Sequence, residues 1–303
     1  MSRASATTAV LVALTMSASV SSAGVRVFSS EQVLGPYSLN GEGLQQMPGG
    51  VIPLEFEEAV WILGYSTKIV DDEGSELGRD LQCHSMMVSP LDESWKGSAH
   101  NGTPFEGFFS DGFTPKLILP QGFGVFLDDG ESLELSPMFN NRSPDPVSAS
   151  MKVTVDFVRQ RDLTEPLRPL FATVGTVTDP FLYMVPPGED VRERQYRFPY
   201  AGVIHAMGVH IHPYGRSFEL INLTRGETVW LADGTHGEDG RLTEMPFYSS
   251  ATGYSFTPED RFLLRATYYN PTDVEQDAMA GLFFFFSTID DKLPQRPETS
   301  VLD

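Results

Sequence analysis

Apolar and polar residues change places along this chain at short range. Runs such as Ala59–Tyr65, Leu117–Pro120, Ser132–Ser136 and Met151–Phe157 are cut by Gly, Pro, Asn and Asp about every ten residues. Met151, Val153, Val155 and Phe157 fall on one face of an extended segment, with polar neighbours between them. The second half repeats this rhythm in 209–220, 227–231, 261–269 and 282–287. Its last run, Leu282-Phe-Phe-Phe-Phe-Ser287, does not alternate, so that strand is expected to be covered on both faces. No helical period persists over three turns, and Phe56–Trp61 allows a single turn at most. The pattern predicts an all-β chain of antiparallel strands arranged as consecutive β-sandwich domains.

Composition divides the chain further. Residues 1–23 have the order of an export signal: Arg3, a short apolar stretch over 9–16, then small residues at 21–23. Residues 24–50 are Ser- and Gly-rich and read as a leader. An N-terminal domain over 51–160 and a C-terminal domain over 166–290 follow, joined by a charged, Pro-bearing linker, with a polar tail over 291–303. No apolar run is long enough to span a bilayer as a helix. The expected location is secreted or periplasmic.

Charge and cysteine content narrow the partners. A net charge of −20 argues against nucleic acid or an anionic membrane surface. Cys83 is the only cysteine, so it is a buried thiol, a partner's disulfide half or a metal ligand. Asn101, Asn141 and Asn222 begin Asn-x-Ser/Thr patterns that would accept a glycan in a glycosylating host.

The densest chemistry lies in Gly208-Val-His210-Ile-His212-Pro-Tyr-Gly215. In a strand, His210 and His212 project from one face and Val209 and Ile211 from the other. Two neutral imidazoles so placed suit copper, zinc, iron or nickel. His205 has the wrong offset for that face and is expected to be structural. His100 and His236 lie in Gly-rich polar loops and are expected to be solvated. Hydrolase, phosphate-loop, Cys-x-x-Cys and His-Glu-x-x-His motifs do not occur.

With the later segment Tyr269-Asn-Pro-Thr…Asp277-Ala-Met279-Ala-Gly-Leu-Phe-Phe, the second half resembles the copper type II, ascorbate-dependent monooxygenases. These are the family of peptidylglycine α-hydroxylating monooxygenase and dopamine β-monooxygenase. The resemblance implies two jelly-roll-like domains and a main copper site at His210, His212 and Met279. Two imidazoles and a thioether form a soft, mixed donor set with a position left open for dioxygen. The first half departs from the family pattern. Cys83-His84 stands where an adjacent histidine pair is expected; a shift of one residue would put His84-Ser85 there instead. Met138 or Asn140 stands at the third ligand position. Cys83, His84 and Met138 therefore form a candidate second copper site, unless Cys83 is merely a buried small hydrophobe.

Three functions are compatible with these residues. The first is hydroxylation of an aliphatic C–H of a small-molecule or peptide substrate, using O2, copper and ascorbate or another external reductant. The second is copper sequestration or delivery without turnover. The third is a metal-free module that binds a glycan or protein through Tyr214, Trp230, Tyr248 and Tyr254.

Overall fold

The computed structural model describes residues 15–20, 26–41, 43–47, 52–88, 102–294 and 301–302. The chain is all-β, built almost wholly from antiparallel sheets, with short 3-10 turns such as Arg79–Leu81 between strands. Among the described residues no helix is long and apolar enough to cross a membrane.

The first half holds a seven-stranded and a five-stranded sheet. The larger is centred on Arg26–Leu39, Val147–Arg159 and Val60–Val70. Met151, Val153, Val155 and Phe157 are all buried on its inner face, as alternation predicts. Ser132–Asn141, Gln82–Val88 and Gly107–Asp111 lie side by side in the smaller sheet. A four-stranded sheet follows in the second half, in the order Phe171–Thr176, Ala280–Ser287, Gly202–Ile211, Tyr248–Phe256. A five-stranded sheet through Phe262–Asn270 backs it.

Two sequence readings are corrected here. The stretch 24–50 is no leader: Arg26–Leu39 is a long strand paired on both sides, and Phe28, Leu34 and Leu39 are buried in the first core. Thr15–Val20, inside the expected export signal, runs antiparallel to it; the rest of 1–25 lies outside the described residues. The expected linker also belongs to the first half at its far end, because Arg168–Pro169 pairs in parallel with Phe123–Leu127.

The Phe strand explains how the halves meet. Phe283 and Phe285 project into the first half's core and Phe284 and Phe286 into the second's, so both faces are covered as expected. Phe109 packs on Phe283 with ring centroids 4.9 Å apart, and Phe108 on Phe285 at 5.6 Å. Gly208 lies directly across from Phe283, and a Cβ there would come within 2.2 Å of that ring. The glycine of the His-x-His strand is therefore what lets this aromatic contact close. The consequence is positional: Gln82–Val88 and Gly107–Asp111 face the histidine-bearing strand across the joint.

Candidate metal centre

His210 and His212 lie at the end of Gly202–Ile211 and just beyond it, while Val209 and Ile211 point into the second core. Both imidazoles are nearly inaccessible, at 2% and 3%. Each is held from behind by a carboxylate. His210 Nδ1 lies 3.2 Å from Asp111 Oδ2, and His212 Nδ1 lies 2.8 Å from Asp277 Oδ2 and 3.1 Å from the Asp277 carbonyl. A carboxylate accepts only, so it assigns the ring proton to Nδ1 and leaves a lone pair on Nε2.

Those lone pairs face Cys83. Its Sγ lies 3.8 Å from His210 Nε2 and 3.6 Å from His212 Nε2. His84 Nδ1 is 3.3 Å from the same sulfur. Adjacent strand residues normally point to opposite faces, and a bulge removes that obstacle here. Met138 pairs with His84 but Phe139 pairs with Gln82, so Cys83 is the extra residue and is turned to the same side as His84. Gln82 and Ser85 face the other way, into a buried polar group with Thr67 and Ser110. The expected division into a main and a second site is therefore corrected: Cys83 and His84 join His210 and His212 in one cluster between the halves. Cys83, His84 and His210 offer ligand atoms all within 4.8 Å of one another.

The two methionines stand beside this cluster by register. Met138 is the cross-strand partner of His84. Met279 follows Ala278 and precedes Ala280, both of which lie in the second core, whereas buried Met279 belongs to neither core. His210 pairs with Gly281 and Ile211 with Ala280, so one further step sets Met279 across from His212. The Tyr268 hydroxyl links their backbones, accepting from His212 N at 3.1 Å and donating to the Met279 carbonyl at 2.5 Å. Asn140 is not a ligand candidate here: with its amide oxygen turned toward Arg142, it accepts from Nη2 at 2.8 Å.

Burial sets the protonation. It pushes the Cys83 thiol up, with Asp111 and Asp277 adding to the shift and Arg142 opposing it. It holds His210 and His84 well down, aided by the neighbouring imidazoles; His84 nonetheless keeps an accessible edge. Asp111 is pushed up to about 7 by burial, against backbone donors at Thr114, Phe113 and Ile211. Burial also pushes Asp277 up, but His212 and Arg142 outweigh it and hold this carboxyl well below the usual range.

The donor set fits a metal ion. Two Nε2 lone pairs face one S–H, which can donate to only one of them at a time, so hydrogen bonding alone leaves the group under-satisfied. Bonds of about 2.0–2.1 Å to nitrogen and 2.3 Å to sulfur, at tetrahedral to trigonal angles, set N···S at roughly 3.5–3.8 Å. That is the separation found between Cys83 and the two histidines.

Asp111 and Arg142 escaped the sequence reading. Arg142 donates to both Asp277 oxygens, at 2.7 and 2.8 Å, and so ties a first-half side chain to a second-half carboxylate. In sequence it stood only inside an Asn-x-Ser pattern. That pattern cannot serve as an acceptor, because Asn141 is buried and donates to the Asn40 and Asp145 carbonyls; Asn222 is likewise buried and bonded. His205 is structural as expected: Nδ1 faces the Ser250 carbonyl and Nε2 the Ser287 hydroxyl. His236 is tied down rather than solvated, with Nε2 2.8 Å from the Gly215 carbonyl. His100 lies outside the described residues. Tyr214, Trp230, Tyr248 and Tyr254 are half-buried against the second core.

No protein-family model matches this chain, and no curated protein matches it significantly. Among solved structures, the Faustovirus major capsid protein aligns over 94% of this chain and 92% of its own, at 5% identity and a TM-score of 0.27. A likeness that slight carries no argument about fold or function.

Proposed function

We propose that this chain is a copper protein that holds one ion between its two halves, with Cys83, His84 and His210, whose ligand atoms lie within 4.8 Å of one another, as the principal ligands and His212 beside them. Met138 and Met279 lie next to this cluster by strand register, as further thioether donors. The observation that carries this reading is the convergence of Cys83 Sγ on two Nε2 atoms whose opposite ring nitrogens are fixed by Asp111 and Asp277. Carboxylate-held imidazoles are the usual support of metal-ligating histidines. The thiol and the two nearby thioethers shift the preference toward copper, above all Cu(I), over harder ions.

Copper in such a sphere supplies one-electron exchange or tight storage. The protein's part is to keep His84 and His210 neutral, surrender the thiol proton when metal enters and exclude water. Burial of Cys83, His210, His212 and Met279 suits storage or electron carriage better than oxygen insertion. The His210, His212 and Met279 arrangement supports hydroxylation as the second reading, and it requires Cys83 to leave a position open for O2. Export, inferred from the order of features in residues 1–23, suits a copper-handling protein of either kind.

The test is metal analysis of the full chain after exposure to copper and zinc together, before and after His210→Ala/His212→Ala. Retained copper that the double variant loses is the expected result. Equal retention by both, or preference for zinc, would contradict it. Oxygen uptake with ascorbate and an aliphatic C–H substrate is expected to stay at the background of the double variant. Uptake that depends on His210 would favour hydroxylation instead.

A further inference from the structure

Cys83, His210 and His212 are buried, so an ion must pass some covering element to reach them, and the covers differ in how firmly they are held. Gln82–Val88 and Gly107–Asp111 belong to a five-stranded sheet and Gly202–Ile211 to a four-stranded one. A further cover is a two-stranded ribbon, Tyr183–Val185 against Gln276–Ala278, which pairs over three residues and joins no larger sheet. Isolated two-stranded ribbons are the least stable kind of sheet and the first to open. This ribbon also bears directly on the site. Phe181, just before its first strand, packs on His210 with ring centroids 5.5 Å apart. Its second strand carries Asp277 and runs into Met279.

The two faces of the ribbon are unlike. Val185 and Ala278 are fully buried in the second core, with Tyr183 packed beside them. On the opposite face Met184 stands directly across from Asp277, the carboxylate that holds His212. Cross-strand partners project to the same side of a sheet, so the Met184 thioether and the Asp277 carboxylate share one face. Met184 is 47% exposed and has Leu182 beside it, exposed to 43%. A methionine this open gains little from burial, yet it offers the donor that Cu(I) prefers. Glu189, Asp273 and Glu275 flank the ribbon in sequence and favour the approach of a cation, while Asp179 and Asp277 are already paired with Arg194 and Arg142.

We propose that Cu(I) enters through this ribbon and that Met184 is the surface ligand that first captures it and passes it toward Met279 and Cys83. No electron is exchanged in the step: one thioether bond to copper forms as a bond to the donor molecule breaks, and a proton leaves Cys83 when the ion is finally seated. This inference rests on the copper reading above.

The experiment follows the rate at which the full chain withdraws Cu(I) from a coloured chelate, together with the amount bound at the end. Met184→Leu keeps size and apolarity and removes the sulfur, and Leu182→Ala serves as the control for loss of apolar surface. The expected result is uptake slowed several-fold in Met184→Leu only, with the same final copper content as the wild type. An unchanged rate would overturn the entry role. A lowered final content would also overturn it, since Met184 would then be a resident ligand. Failure of the wild type to take up any Cu(I) would instead remove the copper reading itself, and this proposal with it.

Discussion

Asp111 and Asp277 perform the same task for neighbouring histidines by opposite means. Asp111 is wholly buried, faces the His210 ring, and is stabilised by the backbone N–H groups of Phe113 and Thr114 at 2.9 and 2.6 Å. Its loop is pinned because Phe113 packs in the second core. Asp277 is about one-third exposed and is gripped by Arg142 through two hydrogen bonds. Burial outweighs the backbone donors and His212 and raises one carboxyl, and the paired charges hold the other down. The difference teaches that one histidine is oriented by a rigid loop and the other by an ion pair that spans the joint between the halves.

The largest break in that comparison is Asp111→Asn. The amide can keep the two backbone donors on its oxygen, but its NH2 then faces His210 Nδ1 and drives the ring proton to Nε2, where the metal would bind. Copper affinity is expected to fall about 100-fold, the upper end of effects from residues that support metal ligands. Asp277→Asn is expected to cost closer to about 10-fold, because the Asp277 carbonyl still accepts from His212 Nδ1. Competition titration with a Cu(I) chelator measures both. Equal losses in the two variants would show that the backbone carbonyl does not hold the tautomer.

Acidity separates the pair in sign as well as size. Asp111, raised to about 7 when folded, contributes stability below its ordinary value near 4 and loses it as pH climbs toward 7. Asp277, depressed when folded, contributes stability above its ordinary value and loses it as pH falls through the folded one. In the metal-free chain, urea midpoints of Asp111→Asn are therefore expected to decline less between about pH 4 and 7 than those of the wild type. Those of Asp277→Asn are expected to flatten on the acid side. Curves of the same shape for both variants would contradict the assignment.

The smallest expected effect is outside the pair. His205 shares a strand with His210, but its ring is spent on Ser250, Ser287 and a tilted contact with Phe123, ring centroids 4.0 Å apart. His205→Gln should leave copper content unchanged and cost about 1 kcal/mol in thermal or urea unfolding through lost hydrogen bonding. Copper loss in that variant would widen the site beyond the residues assigned to it.

What could be read from the sequence follows from where the geometry is local. His210 and His212 sit two apart in a regular strand, so their shared face is a property of the strand itself. The burial of the Phe run was legible for the same reason. Cys83 and His84 share a face only through a bulge set by pairing with Ser132–Asn141, and no local pattern announces it. That is why the sequence separates these residues into two candidate sites where the structure brings them into one cluster. Asp111 and Arg142 act across 99 and 135 positions of chain, distances over which spacing carries no signal. Arg26–Leu39 passed for a leader because its buried face includes Ser30 and Gln32, which mask the apolar alternation.

Copper counting on the wild type and Cys83→Ser, each saturated with Cu(I) and then freed of excess, tests the single shared centre most directly. One ion per wild-type chain, with a marked loss on removing the sulfur, is the predicted result. Two ions per chain, with one retained undiminished by Cys83→Ser, would mean that the cysteine and the His-x-His pair serve separate sites.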